Sequence, residues 1–295
     1  MAQRYNPTTR ERLANRRGSI GYTGMSLEKP QKDSEFLNTL ARGLSVLRAF
    51  SKERPAMTLT EVATYTSLSP AVARRCLNTL VQLGYVGKKG KTFLLTPEVM
   101  SFASAFLESM NIEEVVRPHL QDVRDRTGDS SSLAVFSNPD ILYLIHVSTN
   151  RMVRLAAGVG TRFPAYATSL GRILLAHLPD EKLEDYLVNT AFQKFTDKTI
   201  TDRDRLKKII LQARQNDYAT IQDELDYGIV SVAVPIRAGT PEVIAAINCS
   251  TATSRVEPGE MLHTRLPCLI EAAKEIEIEL RRYPALVNSI LAQSD

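Results

Sequence analysis

Residues 58–97 constrain the fold most, because they have the pattern of a helix-turn-helix followed by a basic hairpin. Ser69 and Pro70 are residue types favoured at the N-cap and first position of a helix. The apolar residues that follow recur at helical spacing and leave a polar face. Two short β-type segments then flank a glycine- and lysine-rich turn at 87–91. We therefore predict a winged helix-turn-helix, whose first, short helix covers 61–66 with Thr60 as its cap.

The charge distribution indicates that only the first third of the chain meets a polyanion. Residues 1–98 hold 16 Lys and Arg against 7 Asp and Glu, whereas the remainder holds 21 against 26. A basic segment joined to an acidic body favours nucleic-acid binding by that segment, with an affinity that falls as salt rises. There is no apolar run of about 18 residues and no secretory leader pattern, so we expect a cytoplasmic protein.

The polar face of the second helix and the wing supply the predicted DNA contacts. Arginine can bridge guanine O6 and N7, and asparagine can bridge adenine N6 and N7. Alanines such as Ala71 and Ala73 can meet thymine methyl groups, and wing lysines can meet phosphates. For any single residue, a solvated surface charge is the alternative. The predicted DNA-binding residues are Ser69, Ala71, Arg74, Arg75, Asn78, Lys88, Lys89 and Lys91.

Beyond the wing, the pattern predicts an α+β architecture of helices around a six-stranded sheet. An apolar-striped linker helix, which fits packing on its own domain or on a second copy, precedes a helix that Pro118 should bend or split. Period-two segments then predict strands, with a long helix at 260–282 after them. The predicted strands are 131–136, 141–147, 152–156, 218–221, 229–236 and 243–250. The predicted divisions are a flexible arm at 1–33 with arginines that can reach DNA, a winged helix-turn-helix at 34–97, a linker helix at 98–112 and an effector domain at 113–290.

Four segments resemble the IclR family of bacterial transcriptional regulators. TLARGLSVLRAFS (39–51) and LTEVATYTSLSPAVARRCLNTLVQLGYV (59–86) are similar to its DNA-binding part. FPAYATSLGRILLAHLP (163–179) and DELDYGIVSVAVPI (223–236) are similar to its effector-domain signatures. Within the family, the chain most resembles the PcaR, PcaU and PobR branch, which senses aromatic acids or β-ketoadipate in protocatechuate and 4-hydroxybenzoate breakdown. The resemblance implies a GAF-like effector domain with an antiparallel-type sheet, and dimers or tetramers on operator DNA.

The family's effector site, carried over to this sequence, implies a set of ligand-binding residues. They are Phe163, Ser169, Leu170, Ile229, Ser231, Asn248 and Ser250. Ser169 lies near a helix start, where anions are favoured. The nearby cations Arg154, Arg162 and Arg172 suit a carboxylate, or else are exposed arginines. Tyr143, Tyr166 and His146 can contact an aromatic ring, although a histidine in an apolar strand is also an ordinary strand residue.

The motifs of several enzyme classes are missing, which argues against catalysis. The sequence has no GxSxG, HExxH or P-loop motif and no clustered metal ligands, so we expect no enzyme activity, cofactor or metal. The expected partners are double-stranded operator DNA, a small aromatic or dicarboxylic acid, a second copy in a homodimer or tetramer, and RNA polymerase as a further candidate. The alternatives are an IclR-type regulator of a different small-acid pathway and an architectural DNA-binding protein without a ligand.

Overall fold

The computed structural model describes residues 35–149, 157–239, 241–256 and 259–292, apart from the side chain of Met110. The predicted N-terminal arm at 1–33 and the strand at 152–156 lie outside these residues. The chain divides into two compact units, Met1–Ala105 and Phe106–Asp295. No helix in the described part of the chain is long and apolar enough to cross a membrane.

The first unit is a winged helix-turn-helix. Its elements in order are α1 Asn38–Arg48, β1 Ala56–Thr58, α2 Leu59–Tyr65, α3 Pro70–Gln82, β2 Val86–Lys89 and β3 Thr92–Leu95. The strands form an antiparallel sheet in the order β1-β3-β2. The inward faces of the helices pack on the wing through a small core that includes Val46, Val62, Leu77 and Phe93. This fold matches the prediction from the 58–97 pattern.

The first helix of the motif starts earlier than predicted. Thr58, rather than Thr60, is the N-cap, and its hydroxyl accepts a hydrogen bond from the backbone N–H of Glu61. The Glu61 carboxylate in turn accepts from the Thr58 backbone N–H at 2.6 Å. This reciprocal capping box satisfies two backbone donors that a Thr60 cap would leave unpaired, so α2 begins at Leu59.

Two helices connect the wing to the second unit's sheet. After a 3-10 turn at Pro97–Val99 come α4 Met100–Met110 and α5 Ile112–Thr127. The prediction that Pro118 splits the second helix is wrong, because α5 continues through Pro118 as one helix. Its buried residues pack on the sheet, and this tertiary packing offsets the backbone hydrogen bond that proline cannot donate.

The second unit is built on a six-stranded antiparallel sheet, as the fold prediction requires. Its strands are β4 Ser130–Ser137, β5 Asp140–Val147, β6 Arg162–Pro164, β7 Ala219–Gln222, β8 Ile229–Ile236 and β9 Ala245–Ala252, in the order β6-β5-β4-β9-β8-β7. The strand β6 lies outside every segment that the sequence pattern predicts to be a strand. Three residues paired with β5 are too few to give a period-two signal.

Helices cover both faces of this sheet. On one face α5 and α9 Leu266–Leu280 form a core with alternate strand residues such as Leu133 and Ile247. On the other face lie α6 Ser169–Ala176, α7 Asp180–Asn189 and α8 Arg203–Asn216. The predicted long helix at 260–282 is divided, because a π-helical turn at Met261–Arg265 precedes α9. The last helix, α10 Pro284–Leu291, follows.

Close packing holds α6 against the turn that precedes it. A side chain at Gly171 would place its Cβ 2.1 Å from the carbonyl oxygen of Ala165. Thr168 caps the helix by accepting from the Gly171 backbone N–H at 3.0 Å. The contact therefore requires glycine, and it fixes the start of α6 over the sheet.

Candidate DNA-reading and effector sites

The polar face of α3 is open to solvent. Val72 N–H donates to the Ser69 hydroxyl, so Ser69 acts as the helix cap. The predicted reading residues Ala71, Arg74, Arg75 and Asn78 are all exposed. Within the described residues, no ion pair joins either arginine to a carboxylate, so both guanidinium groups are available to a partner.

The prediction for Ala73 is wrong. This residue is fully buried in the core of the winged helix, beside Cys76 and Leu77. It lies three residues before Cys76 and four before Leu77, on the apolar face of α3, so it cannot meet a thymine methyl group.

The wing presents a compact cationic tip. Lys88, Lys89 and Lys91 are exposed around the turn between β2 and β3, where Gly90 has a positive φ of 62°. The Lys88 ammonium group lies 5.7 Å from the centre of the Phe93 ring, which anchors one side of the tip. Such a tip suits phosphate contacts, which position a protein on DNA without reading its sequence.

On the second unit's sheet, the face below α6 carries neighbouring polar side chains. Strand register places Ser132 opposite both His146 and Asn248, and places Ser250 opposite both Ser130 and Ser231. The next residues on the same face, Ala134, Ala233 and Ala246, belong to the apolar core. The polar groups are therefore confined to one part of an otherwise apolar face.

Three of the predicted ligand residues meet where α6 starts. The Ser169 and Ser231 hydroxyl oxygens are 2.7 Å apart, and Asn248 Nδ2 donates to the Ser231 oxygen at 3.1 Å. All three are nearly inaccessible, at 1%, 3% and 4% exposure respectively. We call Ser169, Ser231 and Asn248 the polar corner.

The polar corner is incompletely paired. Asn248 Oδ1 is buried and, among the described residues, has no hydrogen-bond partner. Most buried polar atoms are paired, because an unpaired one loses its hydrogen bonds to water without replacement. A leftover acceptor next to two hydroxyl groups is a feature expected of a ligand site rather than of a packed core.

The other predicted ligand residues differ in role. Phe163, Leu170 and Ile229 are buried and apolar, and the first two belong to the core below α6. Ser250 is partly exposed and directly opposite Ser231 on the neighbouring strand. The set thus combines apolar walls with few polar groups, which is the usual composition of a small-molecule site.

Of the three aromatic candidates, Tyr143 and His146 lie on the sheet face below α6, whereas Tyr166 is hydrogen-bonded to a connecting segment. Tyr143 packs edge-on against Phe163, with ring centres 5.4 Å apart, and burial raises its pKa well above the usual range. His146 Nδ1 is 2.9 Å from the hydroxyl oxygen of Ser132. Burial, and secondarily Arg117, lowers the pKa of His146, so its ring is neutral at pH 7. Tyr166 instead donates to the Gln193 carbonyl at 2.8 Å.

Arg172 is not available as a carboxylate anchor. Its guanidinium donates to Glu224 Oε1 at 2.7 Å and Oε2 at 2.5 Å, and its Nε donates to the Tyr166 carbonyl at 3.0 Å. Arg172 is 2% exposed and Glu224 6%. The prediction of a ligand-facing Arg172 is therefore wrong, because a buried guanidinium must be paired and its partner is within the protein.

Of the two remaining predicted cations, only Arg162 lies within the described residues. Arg162 donates to the backbone carbonyl and the hydroxyl of Ser137 at 3.2 and 2.9 Å, and Arg154 lies outside the described residues. Sequence reasoning missed Glu224 and Ser132. Two signals could have indicated them. Glu224 lies in the segment 223–236 that resembles the family's effector domain, and Ser132 is paired with the candidate His146 on the neighbouring strand.

A surface depression of about 540 Å³ lies away from the polar corner. It is lined by residues of α9 and the turn before it: Leu262, Leu266, Pro267, Ile270, Glu271, Lys274 and Glu275. Glu271 pairs with Arg126 and Glu275 with His119. Both acidic groups of this depression are therefore already paired at the surface.

Both units match family models. Residues 39–90 match the IclR helix-turn-helix domain, and residues 104–278 match the domain described as bacterial transcriptional regulator IclR C-terminal. The chain belongs to the IclR family. It is a transcriptional regulator with a helix-turn-helix DNA-binding domain, as the sequence resemblance predicts, and this family is not enzymatic.

Relatives in this family include regulators named for aromatic-acid catabolism. The chain is 35% identical to the Pca regulon regulatory protein of Pseudomonas putida, over 83% of this chain and 84% of the relative. It is 31% identical to the p-hydroxybenzoate hydroxylase transcriptional activator of Acinetobacter baylyi, over 83% and 92%. The crystal structure of an IclR homologue from Microbacterium hydrocarbonoxydans in complex with 4-hydroxybenzoate matches with 26% identity and a TM-score of 0.70, over 83% and 99%.

Proposed function

We propose that this IclR-family regulator controls genes of aromatic-acid catabolism and changes its operator binding when a small aromatic or dicarboxylic acid enters the polar corner. The buried Asn248 Oδ1 beside Ser169 and Ser231 carries the proposal, because it has no hydrogen-bond partner within the described part of the chain. The names of the Pseudomonas and Acinetobacter relatives support the pathway. The acid is protocatechuate, 4-hydroxybenzoate or β-ketoadipate.

On the DNA side, α3 enters the major groove. Arg74, Arg75 and Asn78 read base edges, with Ser69 and Ala71 at the entering end of the helix. Lys88, Lys89 and Lys91 bind phosphates from the wing. The exposure of all these side chains supports the assignment.

Ligand control requires that the effector bind one arrangement of the protein better than another. The polar corner is closed in this structure, so effector binding favours a more open arrangement of the second unit. The helix α4 is suited to carry the change. Phe102, near its start, stacks on Tyr85 in the first unit at 5.1 Å, and Phe106 packs on the core of the second.

The active assembly is a homodimer or a tetramer on pseudo-palindromic operator DNA in the cytoplasm. The two half-sites of such an operator are related by the same two-fold symmetry as the two protomers of a homodimer, so each protomer can bind one half-site. RNA polymerase is the partner if the regulator activates transcription.

Calorimetric titration of the full chain tests the effector proposal. We expect at least one of protocatechuate, 4-hydroxybenzoate and β-ketoadipate to bind and to change operator affinity measured by fluorescence anisotropy. If none of the three acids binds, the pathway assignment is wrong. Binding without any change in operator affinity would instead contradict ligand control.

Operator titrations at several salt concentrations test the DNA assignments. Arg75→Ala should weaken operator binding by about 1–3 kcal/mol and relax sequence preference. Lys89→Ala should weaken all sequences alike and reduce the salt slope by about one. The matched control is Lys208→Ala, which removes an exposed lysine of α8 in the other unit. Unchanged affinity and preference in the Arg75 variant would remove Arg75 from the reading residues.

A further inference from the structure

We propose that the outer face of α9 binds the same face of a second copy, with the two helices antiparallel and related by a two-fold axis at Lys274. This face, which we call the α9 face, consists of Pro267, Ile270, Lys274 and Ile278, all exposed. The contact is one surface of the homodimer or tetramer proposed above, and its assignment rests on that assembly. It does not depend on the effector, because α9 and the polar corner lie on opposite faces of the sheet.

Two isoleucines of the α9 face point to solvent. Ile270 is 41% exposed and Ile278 58%, whereas Leu269 and Ile276, on the inner side of the helix, are buried in the core. The surface depression described above lies beside Ile270 and is lined in part by apolar side chains such as Leu266. Single exposed apolar side chains are common, but two on one helix face beside such a depression form a patch that another molecule can cover.

The charges on and beside the α9 face complement those of a second copy. The Lys274 ammonium group forms no ion pair within the described part of the chain. On the neighbouring row of the helix, Glu275 and Glu279 both contact the His119 ring, at 3.0 and 3.5 Å, so two carboxylates share one partner. Each copy thus has an unpaired cation directly beside a surplus of negative charge, which suits a contact between two identical surfaces.

One antiparallel register pairs both the apolar and the charged groups. With the two-fold axis at Lys274, residues four positions to either side of it face each other, so Ile270 of each copy packs against Ile278 of the other. Ile278, the more exposed of the two, then enters the depression beside Ile270. In the same register the Lys274 ammonium group of each copy reaches the Glu275 carboxylate of the other. The two ion pairs flank the axis and keep the two lysines apart.

The size of the α9 face sets the expected strength of the contact. The helix has 15 residues, so it is about 22 Å long. Two helices that pack over this length bury roughly half of the 800 Å² per partner that is typical of a stable interface. We therefore expect association in the micromolar range, strengthened when operator DNA already holds copies together.

Sedimentation velocity of the full chain without DNA, over about 1 to 100 μM, tests the contact. Ile278→Asp places a carboxylate in the apolar part of the contact and should raise the dissociation constant of one association step at least about tenfold. Val188→Asp is the matched control, because Val188 is 57% exposed on α7, outside the α9 face, and this variant should associate like wild type. If Ile278→Asp associates like wild type, or Val188→Asp is weakened equally, the α9 contact is overturned while the homo-oligomer stands. A wild-type protein that stays monomeric throughout overturns both.

A charge exchange in the same measurement tests the register. Lys274→Glu and Glu275→Lys each bring like charges together across the contact, so each should weaken association about fivefold. The double variant Lys274→Glu/Glu275→Lys exchanges the two charges and should recover wild-type association, which a loss of folding could not produce. If the double variant associates as weakly as either single variant, or more weakly, Lys274 and Glu275 do not meet across the two copies and the proposal is overturned.

Discussion

Two buried polar clusters share the short helix α6, and they differ in how completely they are paired. At the start of the helix, the polar corner of Ser169, Ser231 and Asn248 leaves one acceptor without a partner. Less than one helical turn later, Arg172 and Glu224 form a bidentate ion pair. Burial alone does not distinguish the two clusters, because both are almost inaccessible to solvent.

The Arg172–Glu224 pair is satisfied from several directions. Besides Arg172, the Glu224 carboxylate accepts from the Ile200 backbone N–H at 3.3 Å, and the Glu224 carbonyl accepts from the Thr199 hydroxyl at 2.6 Å. The pair thereby joins α6 to two connecting segments of the second unit. Complete pairing indicates a structural role, whereas an unused atom indicates a site that another molecule completes.

Breaking the ion pair should have the largest effect on stability. Arg172→Met leaves the Glu224 carboxylate buried and unpaired, which should lower the free energy of unfolding by about 3–5 kcal/mol. The double variant Arg172→Met/Glu224→Leu removes both charges and should recover most of that loss. Urea unfolding followed by circular dichroism measures both. Equal losses in the single and double variants would show that the loss of stability in Arg172→Met does not come from the uncompensated charge of Glu224.

Gly171→Ala should have the next largest effect, because it displaces the helix that both clusters share. The added Cβ would lie 2.1 Å from the Ala165 carbonyl oxygen, so backbone must move. We expect a loss of about 1–3 kcal/mol in thermal unfolding. Gly43→Ala is the control, since its Cβ meets nothing within 4 Å. A Gly171→Ala protein as stable as wild type would mean that the start of α6 adapts freely.

The pH dependence tests the environment of His146 beside the corner. Burial lowers its pKa in the folded state, so the unfolded chain binds the proton at higher pH. The stability associated with neutral His146 is therefore present above the unfolded pKa of about 6.5 and is lost as the pH falls below it, by at most about 1.4 kcal/mol per pH unit. His146→Gln should flatten the fall between pH 6.5 and 5. The pKa of His177 is also lowered by burial, so His177 should account for the pH dependence of stability that remains. An unchanged slope would place His146 in an exposed environment.

The smallest effect on stability should come from Asn248→Leu. The substitution removes an acceptor without a partner among the described residues and a single hydrogen bond, from Nδ2 to Ser231, so the free energy of unfolding should change by only about 1 kcal/mol. Thermal unfolding without ligand measures it. A loss comparable with that of Arg172→Met would show that Asn248 stabilises the fold. The unpaired acceptor would then not distinguish a ligand site from a structural cluster.

Much of this architecture could be predicted from residue pattern. The Ser69-Pro70 cap, the apolar spacing of α3 and the lysine tip predict the winged helix, because each is a local property. Five of the sheet's six strands, β4, β5, β7, β8 and β9, also follow from period-two segments, whereas β6 is too short to be found that way. The start of α2 was misplaced, since Thr58 and Thr60 are both acceptable caps and only the Glu61 contact distinguishes them.

The roles of the charged residues could not be predicted in the same way. Arg172 and Glu224 are 52 positions apart, and only the tertiary fold brings their side chains together. The unpaired state of Asn248 is equally invisible in sequence, because it depends on which of its neighbours in the sheet are serines or alanines.

A crystal structure of the full chain with 4-hydroxybenzoate tests the central claim most directly. We expect the acid to lie at the polar corner and to hydrogen-bond to Ser169, Ser231 or Asn248, with the Arg172–Glu224 pair unchanged. A ligand bound elsewhere, with Asn248 Oδ1 still unpaired, would contradict the account.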